Sequence, residues 1–255
     1  MTAAVSIGIA AATGPDLAAR IAPAIEAAGL RALWVNDTPG HDALNVLAAV
    51  AAVTDRLVLA TGVLPVDRHG PDEILRRVAD LPADRLVLGI GSGQTAKGAL
   101  ERVADAAAAL RGRSSARIVV GALGPRMRRL GVSAADGLLL SWLTPELAEK
   151  QTHDAHAADP SAHVALYVRA AVDEDAVPAL KDEAARYAGY PAYAANFTRL
   201  GIRADDTVIR PAALVPRVRD YRAAADEVVL RAITGGGVDA HLRFVDAVGA
   251  AAASR

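Results

Sequence analysis

The 255-residue chain contains no cysteine. Disulfides, thiolate zinc sites and cysteine nucleophiles are therefore excluded, and a cytoplasmic location is expected. Charge of neither sign predominates: 28 Lys and Arg face 29 Asp and Glu, a formal net charge of −1. A surface so balanced has no general attraction for nucleic acid or anionic lipid, and neither is expected as a partner. Long apolar runs are missing as well. None approaches the ~18 residues a membrane helix needs. The first apolar stretch, residues 5–12, has no Lys or Arg before it and is too short for a secretory signal, so it reads as a strand. No linker or low-complexity stretch divides the chain, which reads as one domain over residues 1–255.

What is present is a repeated alternation. Short, nearly continuous apolar runs occupy residues 5–10, 32–36, 57–61, 86–91, 117–122, 137–142, 164–172 and 227–233. Continuous rather than alternating hydrophobicity suits strands buried on both faces, as in a parallel sheet. Between them, residues 16–28, 71–81, 101–110, 145–156, 175–187 and 240–252 carry helical periodicity. Eight strand–helix units predict a closed (β/α)₈ barrel, for which ~250 residues is the usual length. The rival is an open doubly wound sheet, whose usual mark is a glycine-rich turn after the first strand. Residues 11–15, AATGP, do not form that motif. Residues 187–226, with Pro191, Pro211 and Pro216, are the least regular part, a partly helical connection between strands seven and eight.

Barrel chemistry sits at the C-terminal ends of the strands. Those positions hold Asn36, Asp37 and Thr38 after strand two, and Gly62, Val63, Pro65 and Arg68 after strand three. Gly91, Ser92, Gly93 and Gln94 follow strand four, and residues 121–126 follow strand five. Ser141, Trp142 and Thr144 follow strand six, with Arg169 on strand seven and Arg231 on strand eight. No Ser–His–Asp set appears among these positions, and Asp37 is their one acid. The loop GALGPRM (121–127) is a strand, then small residues, then a proline-marked helix start, a layout that offers free N–H groups to an anion.

Residues 29–37 (GLRALWVND), 54–94 (TDRLVLATGV…LGIGSGQ) and 118–146 (IVVGALGPRM…SWLTPE) resemble, in order, the second to sixth units of luciferase-like oxidoreductases. The resemblance implies a (β/α)₈ barrel, often a homodimer, that holds FMN or the deazaflavin coenzyme F-420 and acts on a small molecule. The Gly-Val pair and GALGP look closer to the deazaflavin branch. In that family a bulge ending strand three, often with a non-proline cis peptide, supports the flat ring, which places it at Gly62 and Val63. The loop at Gly91 and Ser92 would border the ring pocket. Gly121, Ala122, Leu123, Gly124, Pro125 and Arg126 would form the phosphate turn, with Gly124 admitting the phosphate closely. Trp142 would stand beside the ring, and Asp37 matches the acid of an Asp-His pair, the candidate catalytic group.

The chain departs from the family pattern in three places. Thr38 stands where that pair has histidine, Gln94 where a sugar-phosphate-oxidising subgroup has glutamate, and the stretch from Gly93 to Arg117 has room for one helix instead of a long covering segment. The pocket is then open, or closed by a partner subunit or by residues 187–226. GIGSG (89–93) lacks dinucleotide-fingerprint spacing. His153, His156 and His163 look metal-like but fall on the barrel's N-terminal side, and no metal is assigned to them. Gly235, Gly236 and Gly237 could line the site or form a plain loop. The expected activity is hydride transfer from reduced F-420 or FMN to a substrate, or oxygen activation by FMN in a monooxygenase. The alternatives are a cofactor-binding or vestigial barrel without turnover, and a non-redox barrel acting on a phosphorylated metabolite.

Overall fold

Each of the eight apolar runs becomes a strand because both of its faces are covered. The computed structural model describes residues 3–94 and 97–254. The strands are β1 (Ala4–Ala10), β2 (Ala32–Asn36), β3 (Val58–Thr61, resuming at Leu64–Pro65), β4 (Leu86–Gly91), β5 (Arg117–Gly121), β6 (Gly137–Ser141), β7 (His163–Ala170) and β8 (Glu227–Ala232). All pairings are parallel, each strand lies beside its sequence neighbours, and β1 closes on β8 through Ala4↔Glu227 to Gly8↔Arg231. Alternate residues turn inward, where Trp34, Ala60, Val119, Leu139, Tyr167 and Val229 pack together. Their neighbours Ile7, Leu33, Leu88, Ile118, Leu138 and Leu230 face outward into a second layer under the helices. The open-sheet alternative is therefore excluded.

Proline opens the helices α1 (Pro15–Ala27), α3 (Pro71–Arg77), α5 (Pro125–Ala134), α6 (Pro145–Ala158) and α8 (Pro191–Leu200). Its fixed φ suits the first helical position, where the missing N–H has no partner to lose. The others are α2 (Ala43–Ala51), α4 (Ala99–Arg111), α7 (Val177–Gly189), α9 (Leu214–Ala224) and α10 (Gly237–Ala253). Among the described residues, α4 is the one helix between β4 and β5. The β7–β8 connection carries α7, α8 and α9 and is pinned to the barrel. Ala171 N–H donates to the Ile209 carbonyl at 3.0 Å, and the buried Tyr221 hydroxyl donates to the Leu143 carbonyl at 2.9 Å. No helix among the described residues is long and apolar enough to cross a membrane.

Candidate active site

The C-terminal ends of β2 to β7 surround a cavity of about 430 Å³. Its floor comes from the break in β3, where the Gly62–Val63 peptide is cis. Asn36, at the end of β2, holds that break from one side. Its Nδ2 donates to the Gly62 carbonyl, and its Oδ1 accepts from the Tyr167 hydroxyl at 2.7 Å. Burial pushes the Tyr167 hydroxyl pKa well above its ordinary value, so it stays protonated as a donor.

The glycines around the floor have a packing reason. A Cβ on Gly91 would lie 2.6 Å from Val63 Cγ2, and one on Gly121 would lie 2.9 Å from Val63 Cγ1. These glycines make room for the Val63 side chain as the floor of the cavity. Gly62 faces the other way. A Cβ there would meet Leu139, Trp34 and Tyr167 inside the barrel, so a larger residue at Gly62 would strain the interior rather than fill the cavity.

The turn after β5 forms one side wall. Ala122 N–H is spent on the Leu139 carbonyl at 3.1 Å, whereas the N–H groups of Leu123, Gly124 and Arg126 donate to no backbone carbonyl among the described residues. Those donors belong to the start of α5, where partial positive charge gathers. Gly124 has ordinary extended angles (φ −90, ψ 160), and a Cβ on it would meet nothing within 4 Å. Glycine is thus not required there by the backbone; what it leaves is open space. Two cations crowd the turn: Arg128 Nη1 and Arg199 Nη2 donate to the Leu123 carbonyl at 2.9 and 3.4 Å. Burial first, and then the Arg199 charge, pull the Arg128 pKa below its usual value, with Asp154 acting against them.

Asp37 lines the cavity, but its carboxylate is fully engaged. Oδ1 accepts from Ala43 N–H at 3.1 Å, while Oδ2 meets Arg68 Nη2 at 2.7 Å and His69 Nε2 at 3.0 Å. With a side chain 1% exposed, it reads first as a loop-organising group. The imidazole that meets Asp37 is that of His69, from the loop after β3.

Of the sequence candidates, the cavity lining brings together Asp37, Gly62, Val63, Gly91, Ser92, Gly121, Ala122, Leu123 and Gly124. Pro125, Arg126 and Trp142 are not part of it, nor are Gly235, Gly236 and Gly237. Arg126 is exposed on α5. Trp142, 2% exposed and in a left-handed conformation (φ 59), lies behind Arg169, whose guanidinium carbon is 4.0 Å from the ring centroid. The lining adds Met127, at the end of the GALGPRM loop, and Leu139, Tyr167, Tyr187, Ala192 and Tyr193, which no sequence pattern marks. Arg128 was findable, one turn past the proline-marked helix start; Tyr187 and Tyr193 come from the irregular connection, whose path no local pattern sets. That connection contributes Tyr187, Ala192 and Tyr193 to the cavity wall. The histidines serve the barrel base: His156 meets Asp226 at 3.0 Å and His163 meets Glu227 at 2.9 Å.

Residues 2–111 match the family model of luciferase-like monooxygenases. No curated protein matches the sequence. An F-420-dependent secondary alcohol dehydrogenase in complex with an F-420–acetone adduct is 14% identical, with 97% of this chain and 99% of that chain covered at a TM-score of 0.73. The coenzyme F-420-dependent tetrahydromethanopterin reductase from Methanopyrus kandleri is 15% identical, with 98% of each chain covered at a TM-score of 0.71. The oxygenating constituent of 3,6-diketocamphane monooxygenase from Pseudomonas putida, in complex with FMN, is 11% identical, with 98% of this chain and 96% of that chain covered at a TM-score of 0.65. At such identities the likeness is one of fold. The chain thus has the luciferase-like (β/α)₈ barrel fold, and its N-terminal part matches that family's model in sequence.

Proposed function

We propose that this chain is an oxidoreductase that moves a hydride between a bound flavin or deazaflavin and a small organic substrate, with coenzyme F-420 preferred over FMN. The observation that carries the reading is one cavity with an apolar floor beside a cation-rich anion turn. A flat aromatic ring suits a floor made by the Gly62 backbone, the Val63 side chain and Leu139, and a phosphate suits the N–H groups of Leu123, Gly124 and Arg126. The volume falls within the ~300–1,000 Å³ usual for small-molecule sites. The cofactor, when bound, supplies the hydride chemistry. The chain's own share is positioning and exclusion of water, for which Tyr187 and Tyr193 cover the mouth. The same reading includes a homodimer and a cytoplasmic location, the former read by sedimentation.

The test is titration of the purified chain with F-420 and with FMN, followed by single-turnover absorbance with candidate acceptors. Micromolar binding of one of them is expected; binding of neither sinks the redox reading and leaves the non-redox barrel. Gly124→Val checks the phosphate placement. The backbone accepts valine there, so the melting temperature should move by no more than about 2 °C, within the ±0.5 kcal/mol of an ordinary surface change. Cofactor affinity should fall about tenfold or more, the worth of ~1.4 kcal/mol, as the methyls displace the phosphate. Unchanged affinity would put the phosphate elsewhere.

The engagement of Asp37 favours a second reading, a barrel that binds the cofactor without turnover. Asp37→Asn separates the two. If Asp37 only organises its loop, turnover should fall less than about tenfold; a loss of 10²–10⁴ would make it a general acid or base. Tight cofactor binding with no turnover on any acceptor would favour the binding barrel.

A further inference from the structure

Arg169, on β7, is 5% exposed and still lines the cavity. Aromatic faces hold its guanidinium, with the Trp142 centroid 4.0 Å and the Tyr187 centroid 4.9 Å from its central carbon. Its Nε donates to Glu183 Oε1 at 3.3 Å and its Nη1 to Ser141 Oγ. A guanidinium has five N–H donors. Those on Nη2 meet no acceptor among the described residues. Ser141 Oγ accepts from Arg169, so its own O–H is left to donate, and Ser141 also lines the cavity.

The local charge does not cancel. Glu183 is shared by Arg169 at 3.3 Å, Arg186 at 3.5 Å and Arg231 at 3.8 Å. Arg186 is largely exposed, but one carboxylate still faces the buried Arg169 and the part-buried Arg231. Asp37, the lining carboxylate of the cavity, is already paired with Arg68 and His69. A buried cation without a full counter-charge is unfavourable until an anion meets it. Beside it stands an aromatic wall: Tyr187 contacts Trp142, Tyr190 and Tyr193, and Trp142 contacts Phe197. A planar cation next to a cluster of tilted and edge-to-face rings matches a planar anion attached to an aromatic body.

We infer that the substrate is a small aromatic carboxylate, its carboxylate on Arg169 Nη2 and the Ser141 hydroxyl and its ring against Tyr187 and Tyr193. That the ligand is a substrate rests on the redox reading proposed above; that an anion subsite exists does not.

The test uses benzoate and its neutral isostere benzamide on the whole chain, by calorimetry and by tryptophan fluorescence, since Trp142 is in contact with Arg169. Benzoate should bind about tenfold or more tighter than benzamide, the difference expected of one charge-assisted contact. Arg169→Gln should erase that preference. Arg169→Lys, which keeps the charge without the planar fork, should restore part of it. F-420 and FMN affinities should move less than about threefold in either variant. Equal binding of the two probes, binding of neither, or a preference that survives Arg169→Gln overturns the inference. If the variants do not fold, the contrast between probes on the unmodified chain decides. A benzoate preference without binding of F-420 or FMN keeps the subsite and removes the redox reading; cofactor binding without the preference does the reverse.

Discussion

Glu227→Ala is expected to destabilise the barrel by about 3–5 kcal/mol, the usual cost of removing one member of a buried charged network. Glu227 opens β8 at the base of the barrel and is 1% exposed. It accepts from the Ser6 hydroxyl at 2.6 Å and from Trp34 Nε1 at 2.7 Å, and meets His163 Nε2 at 2.9 Å and Arg31 Nε at 3.2 Å. Alanine would strand those donors inside the barrel, where each lost partner costs desolvation without return. At roughly 2–4 °C per kcal/mol for a chain of this size, the melting temperature should drop by about 6–20 °C. Glu227→Gln keeps an acceptor oxygen and should lose less. Urea unfolding of the three proteins checks this, and a loss below about 1 kcal/mol for alanine would show that the network adds little.

The same carboxylate gives the pH dependence. Burial acts to raise the Glu227 pKa, but the hydrogen bond and charge of His163 and the bonds from Ser6 and Trp34 prevail and hold it below the usual carboxylate range. A depressed folded-state pKa contributes stability that is present above the unfolded value near ~4.3 and is lost as pH falls through the folded value. The stability difference between the unmodified chain and Glu227→Gln should therefore be full at neutral pH and shrink on acidification below about pH 4.

Gly89→Val should be more severe still, exceeding about 4 kcal/mol and abolishing cofactor binding with it. A Cβ on Gly89 would collide with the Thr61 carbonyl oxygen. That oxygen belongs to backbone, which no rotamer change can remove. Thr61 Oγ1 also donates to the Gly89 carbonyl at 2.9 Å, so the two strands are held together at this point. Here β3 leans onto β4 before it breaks at Gly62–Val63, and pushing it away would dismantle the cavity floor. Soluble yield, circular-dichroism melting and cofactor titration read the outcome beside Gly124→Val, which has the same new side chain where there is space for it. A native melting temperature and intact binding in Gly89→Val would show that β3 can withdraw freely, contrary to the packing.

The eight strands were legible because each is a run of apolar residues bounded by turns, and their edges move by only a residue or two. Strand three stops at Thr61 and resumes at Leu64, and strand seven ends at Ala170 because Ala171 bonds to Ile209. The helix expected over 71–81 ends at Arg77; Pro82 disfavours helical angles at Leu81, and the chain turns before it. Helix α2 is hard to tell from a buried strand in sequence, since ALNVLAAVA is apolar at every position but Asn45; Asp42 caps it through Leu44 and Asn45 N–H.

By itself the sequence determined the barrel, the order of its strands and the mouth positions after β2, β3, β4 and β5. These depend on burial periodicity and on proline and glycine at fixed offsets, which are local properties. Tertiary structure decided which of those positions share a cavity and what each does there. It turned Gly62 toward the barrel interior, tied Asp37 to His69, brought Tyr187 and Tyr193 over the mouth, and set Arg169 against Trp142 and Glu183. Closure of β8 on β1 and the path of the β7–β8 connection fix those pairings, and no spacing along the chain encodes them.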